Sequence, residues 1–308
     1  MSTDRFYPIG TPGVPWSDDE RHQWSSTRSV ERSYREEVLA PLEGLRETHR
    51  VETYGALSVD PERYPLFCAH PSRVVEGAPW VLVTGGVHGY ETSGVQGALL
   101  FLREHAGALA QRCNLVVAPC VSPWGYERVQ RWNAQALDPN RSFRADSPSE
   151  EAAALWKHVR GLGVSFLAHF DLHETTDSDE DEFRPAVAAR DGVAFEPGTI
   201  PDGFYTVGDT ENPEIGFHSA LIEGVRQVTH IAPPDENGEI IGSAVVAPGV
   251  ILYPFQALGL CAGLTDARFA TTTEVYPDSP RATDAICNEA QVAAVRAGLE
   301  YALESAPA

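Results

Sequence analysis

A histidine and a glutamate three residues apart, His88 and Glu91, could bind one metal ion. They lie in the segment GGVHGYE, which follows an apolar stretch and precedes a helical pattern. Imidazole nitrogen and carboxylate oxygen are both good Zn²⁺ ligands. The same spacing also arises when a surface histidine happens to precede a glutamate that begins a helix. The pair therefore suggests a metal site without establishing one.

A second group of polar residues, His169, Asp171 and His173, alternates along a predicted strand. Alternate residues of a strand point to the same face. His173 is nearest the carboxyl end of the strand, at the edge where His88 is expected, so we predict that it completes the metal site. His169 lies deeper in an apolar run and is interpreted as a core histidine, while Asp171 could orient a ligand by hydrogen bonding. Two histidines and a glutamate with an open fourth position are typical of catalytic zinc sites, which activate water.

Polar residues beyond the second predicted strand could bind substrate. Asn140 and Arg141 could form a planar set of donors for a carboxylate, and Arg131 could reach a developing oxyanion. Structural salt bridges are the alternative for both arginines. Glu274, in the β-prone run TTTEVYP, could take a proton from water and return it to a leaving amine. Taken alone, Glu274 is also consistent with an ordinary glutamate at a strand end.

The elements that must position these residues alternate between apolar strands and helices. Strands are predicted at 80–84, 115–118 and 165–170, and helices over 92–105 and 148–159. In open α/β sheets, the loops at the carboxyl ends of the strands build the binding site. We therefore predict an α/β fold with a single mixed, mostly parallel sheet that helices cover on both faces.

Outside this core, the pattern predicts an N-terminal arm and a loop-rich region. Residues 1–28 carry several Pro and Gly among polar residues and predict a surface arm of low order, which leaves 29–308 as a single catalytic domain. A helix is predicted over 29–47 with Ser29 as its cap. Residues 175–250 are rich in Gly, Pro and acids and predict long loops with short strands. Further strands are predicted at 49–59, 64–70, 250–254, 258–264 and 270–276, and a last helix over 283–305.

Composition and charge limit the kinds of molecule that the protein is expected to bind and the cellular compartment in which it is expected. The chain has 308 residues, 43% of them hydrophobic, and a net charge of −21 at pH 7. Such a charge repels phosphate backbones and anionic lipids, which argues against binding to nucleic acid or membranes. The first residues show no signal-peptide pattern, and five cysteines without a CxxC pair predict buried, reduced thiols. These features predict a cytoplasmic protein and leave its oligomeric state open.

The motifs, taken in order, resemble those of the zinc carboxypeptidases, the family that includes carboxypeptidase A and bacterial murein peptide amidases. The family pattern is HxxE, an arginine upstream of D-x-N-R, a later histidine and a C-terminal glutamate. In this chain the pattern spans residues 80–277 and reads His88-Gly-Tyr-Glu91, Arg131, Asp138-Pro-Asn140-Arg141, Asp171-Leu-His173 and Thr-Glu274.

The resemblance implies a metal site and a reaction. One Zn²⁺ ion is expected on His88, Glu91 and His173, with Asp138 hydrogen-bonded to His88. The implied reaction is hydrolysis of an amide bond next to a free carboxylate. The implied fold is the α/β domain of this family.

The resemblance also implies roles for substrate-binding residues. Asn140 and Arg141 are expected to bind the terminal carboxylate, and Arg131 to polarise the scissile carbonyl. Glu274 is expected to be the general base and acid. Tyr253 is the nearest candidate, by spacing, for the tyrosine that covers the substrate in this family.

The substrate stays open at this point. A small peptide, or a peptidyl or acyl amino acid, fits the resemblance. The alternatives are an N-acyl amino acid deacylase similar to succinylglutamate desuccinylase and aspartoacylase, a murein peptide amidase, and a metal-binding protein without catalysis. The acidic run at residues 177–182 is either a solvated loop or a rim that attracts cationic substrate side chains.

Overall fold

The computed structural model describes residues 7–305, and a large β-sheet runs through their centre. The ten strands of these residues are β1 (His49–Ala56), β2 (Pro65–Pro71), β3 (Trp80–Gly85), β4 (Asn114–Ala118), β5 (Phe166–Glu174), β6 (Tyr205–Asp209), β7 (Glu239–Ile240), β8 (Ser243–Ala244), β9 (Val250–Tyr253) and β10 (Phe269–Val275). Eight of them form one sheet in the order β1-β2-β4-β3-β5-β10-β6-β9, and β7 and β8 form a separate pair.

The sheet is mixed and mostly parallel, which confirms the predicted fold class. β4, β3, β5 and β10 run parallel to one another, and β9 runs parallel to β6. β1, β2 and β6 supply the antiparallel pairings. Because β3, β5 and β10 are parallel neighbours, their carboxyl ends lie at one edge. Register places Gly85 beside Leu172 and His173 beside Glu274.

Helices connect the strands and cover the sheet. Those of residues 7–305 are α1 (Asp18–Ser26), α2 (Ala40–Gly44), α3 (Thr92–Glu104), α4 (Ala106–Leu109), α5 (Pro123–Arg128), α6 (Glu150–Gly161), α7 (Arg184–Asp191), α8 (Ile215–Val225), α9 (Phe255–Leu258) and α10 (Asp284–Glu304). π-Helical turns at Arg35–Leu39 and Asp179–Phe183 lead into α2 and α7. No helix in this part of the chain combines the length and apolar character needed to cross a membrane.

Both faces of the sheet are buried, as the apolar strands predict. Along β3, Val81 and Val83 belong to the core beneath α3, α8 and α10, whereas Leu82 belongs to the core beneath α6. α6 contributes Leu155 and Val159 to that second core. All five cysteines are buried and free, as predicted.

The region 175–250 differs from the loops and short strands predicted for it. It contains two α-helices, α7 and α8, besides β6 and the β7–β8 pair. α8 buries Phe217, Leu221 and Val225, which recur at four-residue spacing along one face. This four-residue spacing is visible in the sequence, but the surrounding Gly, Pro and acidic residues suggest loops.

Two smaller predictions are also wrong. The predicted strand at 258–264 is instead the end of α9 followed by a 3₁₀ turn at Cys261–Gly263. Leu258 is exposed, and the buried apolar residues have no strand pairing: Leu260, Cys261, Ala262 and Leu264. The helical segment predicted from Ser29 begins only at Arg35, as a π-helical turn that leads into α2, and Pro41 is accommodated in the first turn of α2.

The N-terminal segment is ordered where it was predicted to be a surface arm of low order. Ser17 and Glu20 form a reciprocal capping box that begins α1. Trp16 and Trp24 are buried, and the Trp24 ring lies 5.2 Å from the ring of Trp132. Burial of these indole rings fixes residues 7–28 on the domain; residues 1–6 of the predicted arm lie outside the described residues.

Candidate metal centre and active site

In the turn after β3, two glycines allow neighbouring groups to pack closely against the backbone. Gly86 adopts φ +59°, and a Cβ there would lie 2.5 Å from Val95. A Cβ on Gly94 in α3 would lie 2.4 Å from the carbonyl oxygen of Leu172. The missing side chains let the first turn of α3 pack directly on β5. The turn therefore carries Glu91, which precedes α3, to His173.

The three predicted metal ligands converge. His88 Nδ1 lies 2.7 Å from one carboxylate oxygen of Glu91, and His173 Nδ1 lies 2.7 Å from the other. The three side chains are only 3%, 1% and 1% exposed, and their candidate ligand atoms all lie within 4.8 Å of one another. The structure thus brings together residues that are up to 85 positions apart in the chain.

In both His88 and His173, the ring nitrogen that faces away from Glu91 contacts an aspartate. His88 Nε2 lies 3.0 Å from Asp138 Oδ1, and His173 Nε2 lies 2.8 Å from Asp171 Oδ2. Carboxylates accept hydrogen bonds, so each Nε2 carries a proton and donates it. These are the supporting contacts expected for Asp138 and Asp171. His169 is buried beside Thr84, as expected for a core histidine.

The donor set fits a bound cation such as zinc. With Nε2 protonated, a neutral imidazole presents the lone pair of Nδ1 to the carboxylate of Glu91, and two lone pairs face each other at 2.7 Å. Glu91 Oε2 is buried and receives no hydrogen bond of acceptable geometry. A cation between these atoms removes the repulsion. Two imidazoles and one carboxylate match the ligand preference of a catalytic Zn²⁺ site.

The electrostatics of the cluster agree with shared positive charge at its centre. Burial alone would raise the pKa of Glu91, but His173 and His88 lower it to about 2. Burial alone would lower the pKa of His173, but Glu91 and Asp171 hold it well above its usual value. Without a metal, a second proton on His173 therefore balances the carboxylates.

Glu274 stands beside this centre. It pairs in register with His173 across the parallel strands β10 and β5. Thr175 Oγ1 donates a hydrogen bond of 2.9 Å to Glu274 Oε2, and Tyr205 contacts Thr175 at 2.7 Å. Burial raises the pKa of Glu274 to about 8, although His173 acts in the opposite direction. A carboxyl group with this pKa can both accept and donate a proton near neutral pH.

Arg131 lines the cavity next to the candidate metal site, and acidic residues fix its guanidinium group. Its Nε donates to Asp138 at 3.2 Å, and its Nη1 lies 3.2 Å from Asp179 and 3.3 Å from the Tyr90 hydroxyl. Burial opposes ionisation of Arg131, but Asp138 leads the groups that keep its pKa well above the usual value. The Nη2 group takes no part in these bonds and remains a donor on the side chain.

Asn140 and Arg141 line the cavity but differ in exposure. Asn140 is buried, and its Oδ1 accepts a 2.7 Å hydrogen bond from the backbone N–H of Cys261. Its Nδ2 makes a long 3.4 Å contact with His173 Nε2. Arg141 is exposed and donates to the carbonyl oxygen of Asn140. The predicted donor pair is therefore asymmetric, with one buried and one exposed member.

One cavity joins all of these groups. Its volume is about 560 Å³, and it is lined by His88 and Glu91 of the predicted ligands and by Arg131, Asn140, Arg141 and Glu274. Tyr253, the candidate covering tyrosine, also lines it. Residues of 183–195 form an apolar wall of the cavity, with Phe183, Val187, Ala188, Val193, Ala194 and Phe195.

Some residues of the site escaped the sequence analysis. The carboxylate of Glu174 accepts hydrogen bonds from the backbone N–H groups of Thr92 and Ser93, and so fixes the start of α3. Burial raises the pKa of Glu174 to about 7. Tyr90, from the metal-binding turn, donates its hydroxyl proton to Asp179. The available signal was position, since Glu174 directly follows His173.

Several acidic residues of the run at 177–182 form hydrogen bonds and ion pairs within the protein. Asp179 is buried against Tyr90 and Arg131. Arg184 pairs with Glu180, and Arg28 pairs with Glu182. Much of the negative charge is therefore neutralised within the protein.

Comparison with known proteins supports the fold strongly and the sequence relationship weakly. No family model and no curated protein matches the chain. A crystal structure from Shewanella amazonensis SB2B, described as a candidate metallopeptidase, matches with a TM-score of 0.64 and 22% identity, covering 89% of this chain and 98% of that one. A metallo-carboxypeptidase from Burkholderia cenocepacia matches with a TM-score of 0.58 and 14% identity, over 93% and 70% of the two chains.

A eukaryotic enzyme has the same architecture. Carboxypeptidase A from Helicoverpa armigera matches with a TM-score of 0.60 and 12% identity, covering 94% of this chain and 80% of that one. At such identities the likeness concerns the fold. The chain therefore folds as a zinc carboxypeptidase-type α/β domain, and His88, Glu91 and His173 form its candidate metal site.

Proposed function

We propose that this protein is a zinc-dependent hydrolase that cleaves an amide bond next to a free carboxylate. The observation that carries the proposal is the pair of imidazole Nδ1 atoms facing one buried carboxylate, with Glu274 in register beside His173. A passive metal site needs neither a partly buried, proton-accepting glutamate nor an arginine at the same cavity.

The proposed chemistry divides between the ion and the chain. Zn²⁺ on the three ligands would supply a Lewis acid that acidifies water and polarises a carbonyl. Glu274 accepts the proton of the attacking water and delivers it to the leaving amine. Thr175 donates a hydrogen bond to the Glu274 carboxyl group at the cavity, and partial burial limits the access of bulk water to that group.

Substrate is positioned by the cationic and amide groups. Arg131 directs its Nη2 group to the oxygen that gains charge, while Asp138 and Asp179 fix the guanidinium plane. Arg141 and the Nδ2 group of Asn140 bind the terminal carboxylate of the substrate. Tyr253, the last residue of β9, covers the bound substrate residue.

The size of the cavity restricts the substrate to small molecules or chain ends. Its volume of about 560 Å³ suits one terminal residue and the group that acylates it. A peptide and an N-acyl amino acid share this part of the structure. We therefore propose a small peptide, or a peptidyl or acyl amino acid, as substrate.

Mass spectrometry of a mixed substrate panel tests the proposal. Zinc-loaded protein would be incubated with peptides of varied C-terminal residue, N-acyl amino acids and a muropeptide, with and without a chelator. Chelator-sensitive release of a C-terminal amino acid is expected. Glu274→Gln should keep its zinc and lose at least ~10²-fold in rate, whereas the surface control Glu223→Gln should not. Wild-type activity in Glu274→Gln would refute the assigned base, and zinc without any turnover would favour a non-catalytic metal protein.

A further inference from the structure

A second group of metal-binding side chains lies away from the candidate active site. Cys68 and His70 belong to β2, and His158 belongs to α6. In the sheet order, β2 is three positions, or about 14 Å, from β5, which carries His173. The group lies in the core between the sheet and α6, where Cys68 is also found.

The three side chains converge through simple strand geometry. Cys68 and His70 are two residues apart on one strand and share a face. The Nε2 atoms of His70 and His158 lie 3.0 Å apart, and candidate ligand atoms of all three residues lie within 4.8 Å of one another. Glu52 pairs in register with Cys68 on the neighbouring strand, and its Oε2 lies 3.9 Å from His70 Nε2.

A hydrogen bond between the two histidines does not satisfy this cluster. His70 is wholly buried, and its Nδ1 has no hydrogen-bond partner. The hydroxyl of Tyr54, whose ring stacks on His158, is also buried without a partner. Buried polar groups without a hydrogen-bond partner destabilise the folded state. A thiol, two imidazoles and a carboxylate that gather around this incompletely satisfied hydrogen-bond network are suitable ligands for a metal ion.

The donor set selects the class of ion. In tetrahedral zinc sites the Zn–N distance of about 2.0–2.1 Å sets neighbouring nitrogens about 3.3 Å apart, close to the observed 3.0 Å. One thiolate, two imidazoles and a carboxylate suit a borderline-soft divalent ion. Glu52 and His158 are partly exposed and give the ion a path inward.

We propose that Cys68, His70 and His158, with Glu52 as the fourth ligand, form a structural site for a zinc-class divalent ion. Such an ion joins the edge strand β1 and its neighbour β2 to α6. Its four protein ligands close the coordination sphere, which distinguishes it from the open candidate active site. The proposal does not depend on the proposed hydrolase activity.

Cobalt(II) separates the two sites because only one contains a thiolate. The full-length protein would be stripped with chelator and titrated with cobalt(II), and bound metal would be counted by elemental analysis. Wild type is expected to bind two ions per chain and to show a near-ultraviolet thiolate-to-cobalt charge-transfer band. Glu91→Gln should lose one ion and keep the band.

Variants of the second site should show the complementary result. Cys68→Ser should lose the band, while Cys113→Ser, at another buried cysteine, should retain it. His158→Gln changes a partly exposed residue and should weaken binding at this site at least tenfold without unfolding the chain. One ion per chain in wild type with none in Glu91→Gln, or a band that persists in Cys68→Ser, would overturn the proposal.

Discussion

Replacing Glu274 with glutamine is expected to stabilise the metal-free protein increasingly as the pH rises. Burial raises the pKa of this carboxyl group from 4.5 to about 8 in the folded chain. The folded state therefore holds the proton more tightly than the unfolded state. The associated stability is fully present below pH 4.5 and is lost as the pH rises through about 8. Glutamine cannot ionise, so the variant escapes this loss.

The size of the effect follows from the difference between the two pKa values. Each pKa unit corresponds to about 1.4 kcal/mol, so the stability lost because Glu274 ionises more readily in the unfolded chain is about 1 kcal/mol near pH 5 and about 5 kcal/mol near pH 8.5. The hydrogen bond from Thr175 can be kept, because the amide oxygen of glutamine also accepts. The variant's advantage should therefore grow by about 4 kcal/mol across this range.

Urea unfolding of chelator-treated protein measures this difference. Wild type and Glu274→Gln would be compared near pH 5, 7 and 8.5, with the unfolding free energy taken from curves of equal slope. Glu223→Gln is the matched control, since Glu223 is 68% exposed and pairs only loosely with Arg226. A stability difference between Glu274→Gln and wild type that is the same at all three pH values would refute the assignment of a raised pKa.

Three further perturbations test other parts of the structure. Glu91→Gln should abolish zinc binding at the site formed by His88, Glu91 and His173, because it removes the charged ligand that lies between the two imidazoles. A zinc content per chain equal to that of wild type, measured by elemental analysis, would contradict this. Arg141→Lys should raise KM about tenfold with little change in kcat, since a single ammonium group replaces the planar guanidinium at the substrate carboxylate. Steady-state kinetics would measure both constants, and a fall in kcat alone would count against the assignment. Trp24→Ala should destabilise the protein by about 3–5 kcal/mol, measured by urea unfolding, because it empties a buried site against Trp132; a loss below about 1 kcal/mol would show that the N-terminal segment contributes little.

The candidate metal site could be predicted because its residues occupy fixed positions on regular elements. Strand periodicity alone places Asp171 and His173 on one face, and parallel pairing brings the strand ends carrying His173 and Glu274 to one edge. The motif GGVHGYE marks a strand-to-helix turn through its glycines. Local geometry and spacing therefore carry most of this information.

The remaining parts depend on contacts between distant segments. Glu174 meets the N–H groups of Thr92 and Ser93 across 82 and 81 positions, and no local pattern announces that contact. Asp179 was counted as one of several loop acids, yet only tertiary packing buries it against Tyr90. The wall at 183–195 arises from a helix whose short apolar pattern is masked by neighbouring Pro and Gly residues.

The packing of the N-terminal segment also bears on where the chain can be shortened. Trp132 is enclosed by Trp16 and Trp24, and the guanidinium of Arg190 lies 4.4 Å from its ring centre. Deleting the residues before position 29 would expose this aromatic cluster to solvent and invite aggregation. Because Trp132 adjoins Arg131 in the chain, loosening it would also release a residue of the cavity. Coupling of this kind is reciprocal, so a ligand that fixes Arg131 would protect the N-terminal segment from proteolysis.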